Sequence, residues 1–116
     1  MQHFVNPTQF NDAEDFKKYP VTTDQDTTLL LEVQVDVLFL PSPAEMYPKD
    51  FTKKSYDLGP IETVLEGAFR PGHFQGVAQV IDRLVSIVQP TYMIMGQKDF
   101  QQVMVVKRLL QLIGSE

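Results

Sequence analysis

The chain of 116 residues contains no cysteine, which removes disulfide frameworks and thiolate metal sites from consideration and agrees with a reducing cytoplasm. It also lacks any apolar run approaching the ~18 residues needed to span a bilayer. Met1-Gln2-His3-Phe4-Val5 has no basic flank ahead of a long apolar core, so no secretory signal is expected. Basic charge is scarce as well: ten Lys and Arg stand against fifteen Asp and Glu, a formal net charge of −5. That balance works against a broad nucleic-acid surface, whose affinity rests on cations neutralising phosphates. Neither His3 nor His73 has the partner spacing of a metal site, and there is no internal repeat or low-complexity tract.

What is present is ordinary globular composition, 43% hydrophobic and 22% charged, enough for one small domain with a single core. These features together predict a cytoplasmic protein without a membrane segment. His3-Phe4-Val5 reads as the end of a strand that Asn6-Pro7-Thr8 turns out of, since Pro7 biases Asn6 away from helix. Asn11 to Pro20 is polar and irregular. A helix is expected from about Asp24 to Val33, although Thr27 and Thr28 are weak helix formers. Val35 to Leu40 reads as a largely buried strand stopped by Pro41. The proline-rich loop from Pro41 to Pro60 follows, with a short edge strand expected near Phe51 to Leu58; loops of that length are often functional.

The strongest helical signal comes next. Val77, Val80, Ile81, Leu84, Val85 and Val88 recur at helix spacing, and Pro90 ends the stripe. Tyr92-Met93-Ile94-Met95 reads as a second buried strand, whose methionine pair is explained by core packing. Gly96-Gln97-Lys98-Asp99 is a turn, and Phe100 to Ile113 a second helix. Strand, helix, strand, helix at these lengths predicts a parallel α/β architecture, with ligands bound at the edge of the sheet reached by the loops that follow the strands.

Three polar segments sit at such positions. In Gly96-Gln97-Lys98-Asp99, the glycine allows close backbone approach and the following helix offers free N–H groups to a phosphate. Lys98 adds a mobile cation and Asp99 an acceptor for a ribose hydroxyl. Gln102 lies on a neighbouring part of the same face. The plainer alternative makes Asp99 an N-cap and Lys98 a solvated charge. Gln9 can hold a substrate hydroxyl or carboxylate, or simply face solvent. Arg70 and His73 can bind anions or assist proton transfer. Equally, Arg70 can pair with Glu66, and His73 can be a structural histidine.

The order of the motifs F-V-N-P-T-Q-F, D-F-x-x-Y-P, M-Y-P, L-E-G-x-F-R-P-G-H-F-x-G-V and G-Q-K-D-F-Q-Q closely resembles the pantothenate synthetase (pantoate–β-alanine ligase) family. The similarity runs from Phe4 to about Leu110. It implies a partial Rossmann-like, nucleotidylyltransferase-type parallel sheet with flanking helices, and a parent that condenses pantoate with β-alanine through pantoyl adenylate. By resemblance, Gln9 and Gln102 hold pantoate near the β-alanine site. Gly96, Gln97, Lys98 and Asp99 contact ATP, with Gln97 standing where the family usually has Glu. Val77 and Val80 fall where apolar groups surround pantoate's dimethyl carbon.

Magnesium with ATP, a homodimer and membership of coenzyme A precursor biosynthesis are likewise implied. The family's upstream histidine pair and its downstream lysine/serine-rich motif on a C-terminal domain do not occur in these residues. The expectation is therefore a single truncated α/β domain, 1–116, with no catalytic residue of its own and no activity alone, since one lost preorganised donor typically costs about 10²–10³ in rate. The rival expectation is a non-catalytic, self-associating α/β module.

Overall fold

A computed structural model of the chain describes residues 23–115. The apolar stripe becomes the longest helix. Helix α1 spans Thr23–Glu32, α2 Pro43–Met46, α3 Glu66–Phe69, α4 His73–Val88 and α5 Phe100–Leu112. Two 3-10 turns, Gly59–Glu62 and Gln97–Asp99, lie before α3 and α5. The expected helix boundaries are met within a residue or two, including the stop before Pro90, where Gln89 closes α4 in the left-handed conformation and donates to the Val85 carbonyl at 2.8 Å.

Helices α4 and α5 pack on one another and enclose the main core of Leu58, Phe74, Val77, Ala78, Val105, Val106 and Leu109. A smaller cluster of Met46, Val80 and Leu84 holds α2 against the other side of α4. Helix α2 is short but well started. Ser42 and Glu45 form a reciprocal capping box, each side chain accepting from the other's backbone N–H, which satisfies two groups that a helix start otherwise leaves open.

The expected strands are not found among the described residues, where Phe39 alone carries a β-bridge. Val37, Leu40, Tyr92 and Ile94 are exposed rather than buried, Ile94 by 95%. A strand exists only through its neighbours, because its backbone groups need a ladder on at least one side. The segment expected to provide one, His3-Phe4-Val5, lies outside the described residues.

The edge strand expected at Phe51–Leu58 is also replaced, for a different reason. Its backbone groups bond to side chains of α4 instead of to another strand. Gln75 Nε2 donates to the Tyr56 carbonyl at 2.7 Å while its Oε1 accepts from the Tyr56 N–H at 3.0 Å. Gln79 Oε1 accepts from the Lys54 N–H at 3.2 Å. A carboxamide carries both a donor and an acceptor, so one glutamine can do for a residue what a neighbouring strand would do.

Candidate functional site

The sequence Arg70-Pro71-Gly72-His73 makes a type II turn and leads straight into α4. Proline supplies its fixed φ at the second position, Gly72 takes φ 79° and ψ −6° at the third, and the His73 N–H donates to the Arg70 carbonyl at 3.0 Å. This turn sets Arg70 beside His73, with the guanidinium Nη1 3.5 Å from the imidazole Nε2. Because a guanidinium only donates, the ring nitrogen accepts in this contact. His73 is buried and its ring is tilted against Phe74. No ion pair joins Arg70 to Glu66 among the described residues.

The second grouping is the turn before α5. Lys98 Nζ lies 3.1 Å from Asp99 Oδ2, with the side chains 85% and 46% exposed. Asp99 occupies the N-cap position of α5 but makes no side-chain cap bond, so the plain capping role does not account for it. The turn therefore presents a cation, a carboxylate and the start of a helix to solvent in one place. Beside it, Met93, Met95, Gln97, Phe100, Val103 and Lys107 line a cleft of about 510 Å³. Met95 also packs on the main core.

Gln102 lies half-buried in the first turn of α5. Val77 and Val80 are both buried, in the larger and the smaller core cluster respectively. Their burial is accounted for by packing, as their periodicity already allowed. Gln9 lies outside the described residues. The structure thus joins Lys98 with Asp99 and Arg70 with His73, and shows no bond between the two pairs.

Gln101, to which the sequence assigned no role, ties the start of α5 to the segment that leads into α3. Its Nε2 donates to the carbonyls of Ile61 at 2.9 Å and Val64 at 2.7 Å, and its Oε1 accepts from the Glu66 N–H at 3.1 Å. Between those bonds stands Leu65, at φ 50° and ψ −122°, a conformation that costs an L residue about 1–3 kcal/mol unless its surroundings hold it. Two residues on, Gly67 passes so close to the Glu62 carbonyl that a Cβ would collide with it.

A polar stripe on α4 also escaped the sequence reading. Asp82, buried, accepts from Tyr56 Oη at 2.6 Å and from Lys54 Nζ at 3.4 Å. Ser86 Oγ reaches its other oxygen at 3.5 Å. Burial, followed by the bond to Asp82, pushes the Tyr56 phenol well above its ordinary range. Gln75, Gln79, Asp82 and Ser86 recur at helix spacing, and that recurrence was the available signal. No group of three His, Cys, Asp or Glu able to hold a metal ion occurs among the described residues, and no helix there is long and apolar enough to cross a membrane.

Comparison with known proteins supplies the family. The pantoate-beta-alanine ligase family model matches residues 1–115. The chain belongs to the pantoate–β-alanine ligase family. It is 48% identical over 111 residues to the pantothenate synthetase of Phocaeicola vulgatus, covering 96% of this chain and 39% of that protein. With the enzyme of Thermus thermophilus the identity is again 48%, over 40% of its length.

The chain therefore spans about two fifths of the curated relatives it matches. A crystal structure of the Thermus thermophilus protein superposes with a TM-score of 0.92 over 97% of this chain and 41% of that one. A pantoate-beta-alanine ligase from Francisella tularensis, complexed with beta-gamma ATP and beta-alanine, superposes with a TM-score of 0.91 at 40% identity, over 97% of this chain and 43% of that one. The α/β class expected from the motif order agrees with these neighbours.

Proposed function

We propose that this chain forms the pantoate- and nucleotide-binding part of an ATP-dependent ligase that joins pantoate to β-alanine. The observation that carries the proposal is the exposed Lys98–Asp99 pair at the start of α5, beside an open cleft and within a family motif. In this reading Gly96, Gln97, Lys98 and Asp99 receive ATP. The Lys98 cation meets phosphate oxygens, and the Asp99 carboxylate accepts from a ribose hydroxyl. Gln9 and Gln102 hold pantoate near the β-alanine site. Arg70 and His73 stand at the rim, while Val77 and Val80 back the pocket from the core.

The chemistry follows from the substrates. A carboxylate is a poor acyl electrophile. Pantoate oxygen therefore bonds to the α-phosphorus of ATP as pyrophosphate leaves, and the amine of β-alanine then bonds to the acyl carbon as AMP leaves. The protein's part is to align the reactants and to place positive charge where phosphoryl oxygens gain negative charge. Magnesium, in this reading, enters with the nucleotide.

The 116 residues act within a larger parent, read as a cytoplasmic homodimer, and they do not complete the reaction alone. The exposure of Phe69, Tyr92, Ile94 and Phe100 supports this, because so much apolar surface is usually covered in a working assembly.

Thermal melts test the proposal with pantoate, with ATP-magnesium and with both, using Gln102→Ala as control. Ligand at 100 times its dissociation constant adds about 2.7 kcal/mol. A pantoate-dependent shift that disappears in the control supports the reading. A folded chain that responds to neither ligand, and whose oligomer grows with concentration, favours a self-associating module.

A further inference from the structure

We infer that Gln101 is a positioning residue for this site, acting by holding Leu65 in its positive-φ conformation; the inference rests on the proposed function for its link to substrate. Its carboxamide straddles Leu65, accepting from the N–H of Glu66 on one side and donating to the carbonyl of Val64 on the other. A third bond, to the Ile61 carbonyl, anchors the same group to the 3-10 turn before it. The Leu65 side chain is itself exposed, so packing does not hold its backbone there.

Local bonds cross the strained residue as well: the Gly67 N–H donates to the Val64 carbonyl at 2.9 Å and the Ala68 N–H to the Leu65 carbonyl at 3.0 Å. The Val64 carbonyl thus serves two donors, one from the local turn and one from α5. From Leu65 the chain runs through α3 into the Arg70–His73 turn. Gln101 itself is one residue from Gln102 and two from Asp99. One side chain therefore links the placement of the Arg70–His73 pair to the start of α5.

A hold on a strained residue has a specific signature. Glycine adopts positive φ without the Cβ penalty, so Leu65→Gly should make the hold unnecessary. In Gln101→Ala, the amides of Gly67 and Ala68 are expected to exchange with solvent roughly tenfold faster, the factor that corresponds to about 1.4 kcal/mol for a lost hydrogen-bonding partner. Adding Leu65→Gly should bring their protection back, although the Glu66 N–H still lacks its partner. Gln101→Glu keeps the acceptor for Glu66 but turns a carboxylate oxygen toward the Ile61 and Val64 carbonyls, and should speed exchange at least as much as Gln101→Ala. If Gln101→Ala fails to fold, Gln101→Met, which keeps the length and loses the bonds, takes its place in the same comparison.

Unchanged exchange in Gln101→Ala, or the same acceleration with and without Leu65→Gly, overturns the hold. The positioning role is read from pantoate melts of the same variants: the shift should be lost in Gln101→Ala and regained in the double variant. A full shift in Gln101→Ala with the amides opened overturns positioning. If the unsubstituted chain shows no shift, the proposed function fails for this chain alone and the exchange data still decide the hold.

Discussion

The segment from Phe51 to Glu66 and the turn from Gly96 to Asp99 are both irregular, yet they are built in opposite ways. The first is fastened by side chains from other elements: Gln75 on Tyr56, Gln79 on Lys54, Asp82 on Tyr56 and Lys54, and Gln101 on Ile61, Val64 and Glu66. The second is nearly unfastened. Its side-chain bonds, among the described residues, are the local ones between Lys98 and Asp99. A half-buried loop must satisfy its backbone groups within the protein, whereas an exposed turn can leave its polar groups to water or to a ligand. The first region holds a shape, and the second keeps its charges available.

Substitutions can break that comparison, starting from what the two regions share. Leu109→Ala removes a fully buried side chain from the core between α4 and α5 and should cost about 2–5 kcal/mol in urea unfolding, loosening both regions together. Gln75→Ala strips the Tyr56 N–H of its partner and leaves the Tyr56 carbonyl with the Leu58 N–H alone, and should cost about 1–3 kcal/mol, with the loss concentrated in exchange of the 51–58 amides. Lys98→Ala should change stability by no more than about 0.5 kcal/mol while abolishing any ATP-dependent shift. A large loss of stability in Lys98→Ala would place the turn among the fastened segments and undo the contrast.

The smallest effect concerns pH. The Tyr56 phenol is raised above the ordinary 10.0 in the folded protein, so the folded state keeps its proton more tightly than the unfolded chain. Its contribution is fully present below pH 10 and declines as pH rises further toward the folded value. The group is only partly buried, so water screens part of the effect. Tyr56→Phe should flatten the alkaline limb of stability, measured by denaturant melts between about pH 9 and 11. An unchanged limb would show that Asp82 does not hold this proton.

Much of this was open to reading from the chain. The stripe from Val77 to Val85 announced α4, Pro90 its end, and the motif order the family. The type II turn is written in Arg70-Pro71-Gly72-His73, because proline and glycine each restrict or permit one backbone angle. Among the described residues the strand expectations at 35–40 and 92–95 are met by no more than the bridge at Phe39, since β-propensity reports fitness for a ladder, and the ladder itself depends on residues distant in the chain. The polar stripe Gln75, Gln79, Asp82 and Ser86 went unread, although it recurs at helix spacing. Its middle, Gln79 and Asp82, is buried because the 51–58 segment crosses it, while Ser86 stays exposed.

The amino-acid sequence by itself determined the two main helices, their apolar faces, the Pro-Gly turn and the family. Each of these depends on residues near one another in the chain or on motif order. Only the tertiary structure decided that Leu65 takes positive φ, that Gln101 spans it and that Asp82 accepts the Tyr56 hydroxyl bond. Those outcomes join residues tens of positions apart, and a carboxamide or carboxylate carries no mark of which distant donor or acceptor will reach it until the core of α4 and α5 has closed.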